Sequence, residues 1–384
     1  MKKAYEVVVV GAGPGGATLA YELAQKGIRV LLLEKDTLPR YKCCAGGVTA
    51  KAAKLLNVDI NELAEDVVTD VTVNFKGDGN YHGHSNQDLI YTVRRDKFDY
   101  ALVKQAEAAG AVIVQGQEVK QVKSDVRWVK ISTPAGDFRS QFVAGADGAN
   151  SIVARESGLR ANVSYIAGMN TEVVVAKKEL AKWRSLIAID VGFVPKGCGW
   201  VFPKLDHLSI GIACLSSEAK SLKRCYREFL NSLNINHYTI TKWSGGLIPT
   251  CKREAIVSGD RIVLLGDAAG LADPLTGEGI QNALQSAKLA APVIEECLLN
   301  GKARLKNYQQ AVDEKIMPEI RIARVLQKMF VRFPEIALKL LNLHEGVWRS
   351  CCLLVRGELD YTAVKSKLGG VRGMYAFLSR ALVL

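Results

Sequence analysis

The sequence predicts an α/β protein in which a domain built on a parallel sheet is interleaved with an antiparallel β-sheet domain and followed by a helical C-terminal region. Three observations lead to this prediction. An apolar strand near the N-terminus runs into a glycine-rich turn, two later apolar strands each end at an aspartate, and candidate strands crowd between residues 173 and 243. Strands that alternate with helices favour a parallel sheet, and strands that follow one another closely favour an antiparallel one.

The first strand and the turn after it predict a Rossmann-like nucleotide site. Residues 5–10 form a continuous apolar, β-branched run, as in a central strand that is covered on both faces. Residues 17–25 show helical spacing and end before Gly27, which is a favourable helix stop. The turn between this strand and this helix contains Gly11, Gly13, Pro14, Gly15 and Gly16.

The spacing of these glycines indicates how a dinucleotide would bind. The first glycine permits the tight turn, the second lets the backbone approach a pyrophosphate, and the third lets the helix pack closely on the strand. The helix N-terminus offers free N–H groups to the phosphates. A second apolar run, residues 28–33, ends in Glu34, which we expect to accept hydrogen bonds from ribose hydroxyls. NAD and FAD both fit this pattern.

Two downstream segments help to decide between NAD and FAD. Residues 144–151 follow an apolar strand and carry Asp147 and Gly148, and residues 263–270 repeat the pattern with Asp267. Together with the glycine turn, these segments resemble the flavin-binding group that includes para-hydroxybenzoate hydroxylase, the aromatic-ring hydroxylases and the geranylgeranyl reductases. The resemblance implies an FAD cofactor, with Asp267 bonded to the ribityl chain and Asp147 near the pyrophosphate. The alternative is that both aspartates are helix caps or turn residues.

Two further segments extend the resemblance to this flavin-binding group. Glycines precede a helical pattern that runs from about residue 283 to about 299, and the N-terminus of that helix would face the pyrimidine edge of the flavin and favour its anionic reduced form. The group has a cofactor-contacting arginine in an R-x-x-F-D sequence, which Arg95 matches, with a surface salt bridge as the alternative. The resemblance therefore implies further cofactor contacts, at Lys35, Arg40, Cys44, Ala45, Gly47, Arg95, Val119, Gly277, Gly279 and Ile280.

Residues 39–48 indicate which branch of this flavin-binding group the chain resembles. Geranylgeranyl reductases carry a P-R-x-K-x-C-G-G-G-like sequence here, which this chain matches at Pro39, Arg40, Lys42, Cys44, Gly46 and Gly47. Ala45 stands where the family usually has glycine. Small residues let this loop pass beside the flavin, so we predict that Cys44 is catalytic. A packing cysteine is the alternative, because thiol reactivity depends on surroundings that a sequence does not show.

Residues 197–204 carry a second signature, which resembles the Y-x-W-x-F-P motif of the reductases with Cys198 in place of tyrosine. Trp200 and Phe202 alternate onto one strand face, which suits an apolar wall for a flexible hydrocarbon. We predict that Trp200, Phe202 and Pro203 bind substrate, and ordinary core aromatics are the alternative. Residues 356–361 resemble the G-E-x-x-Y sequence near the C-terminus of these reductases.

The resemblance implies an FAD-dependent reductase that saturates carbon–carbon double bonds of a geranylgeranyl or other prenyl chain on a lipid, quinone or pigment precursor. NADPH or reduced ferredoxin would be the reductant. An FAD-dependent monooxygenase of a hydrophobic substrate shares the fold and the flavin motifs and stays open as an alternative. A non-catalytic flavin or lipid carrier also stays open, whereas the W-x-W-x-I-P sequence of flavin halogenases is only partly matched.

The order of the motifs predicts the domain organisation. Residues 1–75, 95–160 and 250–300 would form a discontinuous FAD-binding domain, residues 76–94 and 161–249 the substrate domain, and residues 301–384 a helical C-terminal region. Candidate strands of the second sheet are residues 173–176, 186–193, 200–202, 208–214 and 238–243.

Composition and charge limit the partners and the location. The chain has a formal net charge of +12, and residues 320–384 carry eleven Lys and Arg against four Asp and Glu. This basic region would suit an acidic electron-donor protein or the surface of an anionic membrane, and we expect no nucleic-acid partner.

The nine cysteines include no C-x-x-C, so we expect neither a disulfide framework nor a metal site. Apolar runs fall short of the roughly 18 residues of a transmembrane helix. We expect a cytoplasmic protein that is soluble or peripheral at a membrane.

Overall fold

The computed structural model describes residues 4–159, 162–301, 304–343 and 345–367. The strands are β1 (Ala4–Val10), β2 (Val30–Leu33), β3 (Gly47–Thr49), β4 (Ala64–Val68), β5 (Asp70–Phe75), β6 (Asp78–His84), β7 (Ile90–Val93), β8 (Val112–Val114), β9 (Gln121–Ser124), β10 (Val129–Thr133), β11 (Gly136–Gly145), β12 (Val163–Val175), β13 (Leu186–Val191), β14 (Gly197–Pro203), β15 (Leu208–Leu215), β16 (Tyr238–Cys251) and β17 (Ile262–Leu264). The helices are α1 (Pro14–Ala24), α2 (Ala50–Ala53), α3 (Arg95–Ala108), α4 (Ile152–Glu156), α5 (Lys177–Ala181), α6 (Leu222–Ser232), α7 (Ile280–Leu299), α8 (Lys306–Lys315), α9 (Met317–Arg332), α10 (Pro334–Leu343), α11 (Glu345–Arg356) and α12 (Tyr361–Lys367). Residues 368–384, the end of the predicted helical region, lie outside the described residues.

The first large sheet contains the strands that surround the glycine turn. β8, β2, β1 and β11 lie side by side in parallel, and β17 is parallel to β11. β10 and β9 extend the sheet in antiparallel order. All four residues of β2 are buried, as are the last four of β1, so both faces of these strands are covered. The carboxyl ends of β1 and β11 lie next to each other, which brings the glycine turn and Asp147 together.

The second large sheet has the strand order β16-β12-β15-β14-β13-β5-β6. Its neighbouring strands are antiparallel, except that β13 and β5 run parallel. α6 buries Tyr226 and Phe229 against apolar side chains of this sheet, such as Val201 and Ile210. The α/β fold with a parallel sheet, a largely antiparallel second sheet and a helical C-terminal region is confirmed.

One strand lies on the other side of a predicted domain boundary. β5 falls within residues 1–75, which we assigned to the FAD-binding domain, but it pairs with β13 and β6 in the second sheet. The apolar pattern of a strand does not encode its pairing partner, so the sequence could not show this. The predicted domain boundaries as a whole stay a prediction.

A three-stranded sheet, β3-β7-β4, joins the two larger sheets. The carbonyl group of Val93 in β7 accepts a hydrogen bond from the side chain of Lys204, which follows β14 of the second sheet. The C-terminal helices pack nearby: α10 contacts β5 and β6, and the indole N–H of Trp348 in α11 donates to the carbonyl oxygen of His84 at 2.9 Å. Within the described ranges, no helix is both long enough and apolar enough to cross a membrane.

Candidate functional site

The glycine turn lies between the carboxyl end of β1 and the start of α1. Gly13 is the N-cap of α1, and Pro14 follows at a position where its missing N–H costs nothing. Gly11 has a φ of 98°, and a Cβ on Gly16 would lie 1.9 Å from the Gly11 carbonyl oxygen, so the turn itself needs both glycines. A Cβ on Gly13 would meet no protein atom within 4 Å. The backbone at Gly13 is therefore open to a pyrophosphate, which fits a dinucleotide cofactor.

The carboxylate of Glu34 lies beside this turn, at the end of β2. It accepts hydrogen bonds from the N–H groups of Ala12 at 2.9 Å and Asp36 at 3.1 Å, and Nε of Arg40 lies 3.5 Å away. Glu34 therefore holds the glycine turn in place. The predicted bonds to a ribose would use its remaining lone pairs.

Asp147 lies against the glycine turn, but its side chain is already bonded within the protein. A Cβ on Gly11 would lie 2.9 Å from Cα of Asp147. The Asp147 carboxylate accepts hydrogen bonds from the Ser151 hydroxyl at 2.6 Å and the Ile152 N–H at 2.7 Å, so it caps α4. Burial raises the pKa of Asp147 against these hydrogen bonds. Any contact of this segment with a pyrophosphate would come from the backbone, including that of Gly148.

Asp267 differs from Asp147, because its carboxylate makes no hydrogen bond in the part of the chain that the structure describes. A Cβ on Gly279, just before α7, would lie 3.1 Å from Oδ1 of Asp267. Burial raises the pKa of Asp267, whereas the positive charges of Lys42 and Arg95 oppose this shift. A half-buried carboxylate with unused acceptor capacity fits the hydroxyl groups of a ribityl chain.

The other predicted cofactor residues differ in how accessible they are. Lys35 is exposed, whereas Val119 is buried in the hydrophobic core and would contact a cofactor through its backbone. Gly277 has a φ of 72°, and Ile280 is the first residue of α7. The predicted helix after Asp267 is therefore present, and its free N–H groups begin next to that aspartate.

Arg95 forms a buried ion pair rather than the surface salt bridge of the alternative interpretation. Its Nε and Nη2 donate to Asp99 at 2.8 and 3.0 Å, and Nη1 of Arg40 donates to the same carboxylate at 3.1 Å. Burial alone would lower the pKa of Arg95, but the charge of Asp99 and the thiol of Cys44 outweigh burial and raise it. Two predicted cofactor residues, Arg40 and Arg95, thus share one carboxylate that the sequence analysis did not single out.

The loop of residues 39–47, which we call the cysteine loop, spans the space between the cofactor residues and the second sheet. On the cofactor side, Arg95 contacts Cys44, whose Sγ also accepts the N–H of Gly46 at 3.3 Å. On the other side, a Cβ on Gly47 would lie 2.8 Å from the ring of Phe202, so only glycine lets the loop pass so close to this ring. Phe202, one of the predicted substrate residues, therefore lies against the cysteine loop, whereas Pro203 is buried on the other face of β14.

The face of β14 alternates as predicted. Trp200 and Phe202 are partly exposed, whereas Gly199, Val201 and Pro203 are buried. The face is not only apolar, however, because the Trp200 indole N–H donates to Oδ1 of Asn170 at 3.1 Å.

Asn170 in turn donates to Glu172 at 3.2 Å, and Glu172 also bonds Tyr41 and His207. The sequence analysis missed these polar residues. They are scattered along the chain and meet only because β12, β14 and β15 are neighbours in the sheet.

The C-terminal G-E-x-x-Y sequence reaches the loop before α7. The Tyr361 side chain lies next to Asp273, and burial together with this carboxylate raises the pKa of Tyr361. The Asp273 carboxylate accepts the N–H of Leu275 at 2.7 Å. In the same loop, Glu278 accepts a hydrogen bond from the Thr49 hydroxyl at 2.8 Å. Burial raises the pKa of Glu278 to about 7, which the Thr49 hydrogen bond opposes and the charge of Asp273 supports. The tail sequence thus holds the segment that contains Gly277 and Gly279.

Lys204 connects the cysteine loop to the second sheet. Its side chain is only 3% exposed, and Nζ donates to the carbonyl oxygens of Ala45 at 2.8 Å and Val93 at 2.9 Å. Burial lowers the pKa of Lys204 to about 8, although the charge of Glu172 opposes this shift. The amine therefore holds the cysteine loop in either protonation state, since neutral lysine keeps two N–H donors.

Lys204 should make the stability of the fold depend on pH. The unfolded chain keeps the lysine proton up to about pH 10.5, whereas the folded protein releases it near pH 8. Between these values the unfolded state binds more protons, so the free energy of unfolding rises with pH. We expect the wild type to gain about 3 kcal/mol relative to Lys204→Met over this interval, at about 1.4 kcal/mol per pKa unit. Urea unfolding at a series of pH values measures the gain, and a pH-independent difference between the two proteins would contradict it.

Comparison with known proteins identifies the family. Residues 4–196 match the family described as FAD binding domain. The digeranylgeranylglycerophospholipid reductase of Methanoculleus marisnigri is 30% identical over 78% of this chain and 79% of its own length. The chain belongs to the geranylgeranyl reductase family.

A further relative and a solved structure are also similar to this chain. The chloroplastic geranylgeranyl diphosphate reductase of Arabidopsis thaliana is 27% identical over 85% of this chain and 74% of its own length. A geranylgeranyl bacteriochlorophyll reductase-like protein of Thermoplasma acidophilum has the same fold, with a TM-score of 0.80, 22% identity and 99% of both chains covered.

Membership in this family confirms three predictions from the sequence: the family itself, the FAD cofactor and the class of FAD-dependent oxidoreductases. The residue assignments stay predictions. The structure brings the glycine turn, Asp267, Arg95 and the cysteine loop to one region, and their donors and acceptors fit FAD. The side chains of Lys35, Val119 and Asp147 are placed less favourably for direct contact.

Proposed function

We propose that the protein uses FAD to saturate carbon–carbon double bonds of a geranylgeranyl or other prenyl chain, carried by a lipid, a quinone or a pigment precursor. The observation that carries this proposal is the extent of the similarity to proteins named as geranylgeranyl reductases. Their matches cover 78% and 85% of the chain, well beyond residues 4–196, so the similarity includes much of the second sheet.

The site geometry supports the same proposal. FAD, when bound, supplies the hydride. An isolated double bond offers no carbonyl oxygen to polarise, so the protein has to align the chain, exclude water and supply a proton. Trp200 and Phe202 present aromatic surface next to the cysteine loop, which suits a flexible hydrocarbon. Cys44, the predicted catalytic residue, contacts Arg95 and thus lies on the cofactor side of this loop.

The source of the electrons and the route of the substrate are part of the proposal. NADPH or reduced ferredoxin would reduce the flavin, and the net charge of +12 would favour an acidic electron-donor protein. Prenyl lipids reside in membranes, and the exposed Arg321, Lys328 and Arg332 of α9 support peripheral contact with an anionic surface. Leu326, Met329 and Phe330 of the same helix are only partly buried. The side chains of Ile336 and Leu340, and residues such as Arg372 and Arg380, lie outside the described part.

Anaerobic turnover tests the function. The purified protein would be reduced with dithionite or NADPH without oxygen and mixed with geranylgeranyl lipids in vesicles of anionic phospholipid. We expect the flavin to be reoxidised and mass spectrometry to show a gain of two hydrogen atoms for each double bond reduced. Product that forms only with oxygen and carries a new hydroxyl group would instead support the monooxygenase. A flavin that no donor reduces would support the non-catalytic carrier.

A further inference from the structure

A chain of neighbouring polar side chains crosses the second sheet and ends at the cysteine loop. Nε2 of His207 lies 3.0 Å from Oε2 of Glu172, and the Tyr41 hydroxyl donates to Oε1 of Glu172 at 3.0 Å. The Tyr41 hydroxyl is also 3.0 Å from Oγ of Ser244. Ser244 lies next to the Cys43 thiol, where burial raises the pKa of that thiol and the Ser244 hydroxyl opposes the shift. These five side chains come from four separate parts of the sequence.

The outer end of this chain is in contact with solvent. Nδ1 of His207 bonds the carboxylate of Asp206, whose side chain is 71% exposed, while the His207 side chain is only 13% exposed. An imidazole that faces a carboxylate at each ring nitrogen can donate to both only as the protonated imidazolium. Burial opposes protonation, but the bonds to Glu172 and Asp206 outweigh it and raise the pKa of His207. The two carboxylates therefore favour a proton on His207, one side chain away from the exposed Asp206.

The inner end of the chain lies on the side of the loop that faces the second sheet. Sγ of Cys43 lies 3.8 Å from the position of a Cβ on Gly246 of β16. Its neighbours in the sequence turn the other way: Nζ of Lys42 lies 3.8 Å from the position of a Cβ on Gly148, and Cys44 contacts Arg95. Cys43 is thus the thiol directed at the substrate side, while Cys44 is directed at the cofactor side.

The middle of the chain is held in one arrangement. Asn170 is 1% exposed; it donates to Oε1 of Glu172 at 3.2 Å and accepts the indole N–H of Trp200 at 3.1 Å. The ammonium group of Lys242 lies 5.0 Å from the centre of the Tyr41 ring, which fixes the ring from its other side. Side chains held in this way favour proton transfer, because each transfer depends on the distance between the donor and the acceptor atom.

We propose that these side chains form a proton relay, His207–Glu172–Tyr41–Ser244–Cys43, which delivers to the substrate's double bond the proton that hydride transfer does not supply. The inference rests on the function proposed above. One alkene carbon gains the hydride with its two electrons from reduced FAD, and the other gains the Cys43 proton. The π bond, the S–H bond and the flavin N–H bond that carried the hydride break, two C–H bonds form, the flavin is oxidised and the alkene is reduced. The thiolate then regains a proton from Ser244, and Ser244 regains one from Tyr41, after both hydroxyls turn away from their acceptors at Asn170 and Glu172. Tyr41 is refilled by Glu172, which receives the proton of the His207 imidazolium.

Tyr41→Phe tests the relay because it removes one hydroxyl and keeps the ring over Lys242. Under anaerobic multiple turnover with excess dithionite and saturating prenyl lipid, we expect double-bond reduction to slow by about 100-fold, the lower end of the usual effect of general acid catalysis, because the Cys43 thiolate is not reprotonated between turnovers. The solvent deuterium isotope effect on this step should change as well, because the route of the proton changes. The FAD content and the rate of flavin reduction by dithionite should match those of the wild type.

Tyr238→Phe is the matched control. Tyr238 lies on β16 and is 40% exposed, against 39% for Tyr41, and its hydroxyl makes no hydrogen bond within the described ranges. It should turn over at the wild-type rate. If Tyr41→Phe proves unstable, Glu172→Gln interrupts the same path and should slow the same step.

The outcomes separate the relay from the function. A wild type that reduces prenyl double bonds while Tyr41→Phe keeps both its rate and its isotope effect overturns the relay alone. A variant that only needs more lipid for half-maximal rate, with an unchanged isotope effect, also overturns it, since this would indicate a role in binding. A wild type that reduces no prenyl lipid overturns the proposed function, whatever the variants do.

Discussion

Replacing Asp99 by alanine is expected to lower the free energy of unfolding by about 3–5 kcal/mol, as is typical when a buried charge loses its partner. Asp99 is fully buried and bonds both Arg95 and Arg40, whose side chains are 9% and 13% exposed. Without the carboxylate, two positive charges would repel each other where water reaches them poorly. Urea unfolding followed by circular dichroism measures the loss.

A control for this variant lies on the same helix. Glu107 of α3 pairs with Lys104 at 2.7 Å, but both side chains are at least half exposed, so water and salt weaken the attraction. Glu107→Ala should therefore unfold at nearly the wild-type urea concentration. Equal losses for the two variants would show that the Asp99 cluster contributes no more than a surface pair.

Asp267→Ala should bind FAD about 10- to 100-fold more weakly, which corresponds to the roughly 1.5–3 kcal/mol of hydrogen bonds to a charged group. The carboxylate has no hydrogen-bond partner in the described part of the protein, and burial raises its pKa, so it costs the cofactor-free fold stability. The same variant should consequently unfold at a slightly higher urea concentration than the wild type when both lack FAD. Titration of the cofactor-free protein with FAD, followed by flavin fluorescence, measures the affinity.

Asp267→Ala is expected to weaken FAD binding but to raise the stability of the cofactor-free protein, and these opposite changes make the test specific. Damage to the fold would weaken FAD binding and lower stability together, whereas loss of a ligand contact should weaken binding alone. Asp260→Ala serves as the control, since this aspartate is 79% exposed just before β17 and lies 3.8 Å from Nε of Arg304. An Asp267→Ala protein that keeps wild-type affinity for FAD would remove Asp267 from the site.

The parts of the site that could be predicted from the sequence are those encoded locally. The glycine turn, Glu34 and Asp267 each stand at the end of an apolar strand, and the period of the strand and the chemistry of the turn fix their positions. The same holds for the alternation of Trp200 and Phe202 on β14, because side chains of a strand alternate between its faces.

The parts that could not be predicted depend on contacts between distant segments. Asp99 looks like an ordinary helical acid until the fold brings Arg40 to it. Lys204 reads as a surface lysine, yet it is buried because the cysteine loop and β7 cover it. Asp147 matched the flavin pattern, but its carboxylate caps α4, an alternative that the sequence had left open. The partners of Asp99 and Lys204 lie where only the tertiary structure puts them, whereas those of Asp147 are close to it in the sequence.

The path of the backbone through the two large sheets limits which parts of the protein can unfold independently. The chain enters the second sheet at β5, leaves it after β6, enters it again at β12 and leaves it after β16, so each large sheet is assembled from strands that are separated in sequence. If a protease cleaved a surface loop, each of the two fragments would still contribute residues to both hydrophobic cores. The two large sheets should therefore unfold together on heating, in a single calorimetric peak. Neither sheet should fold on its own as a separate fragment.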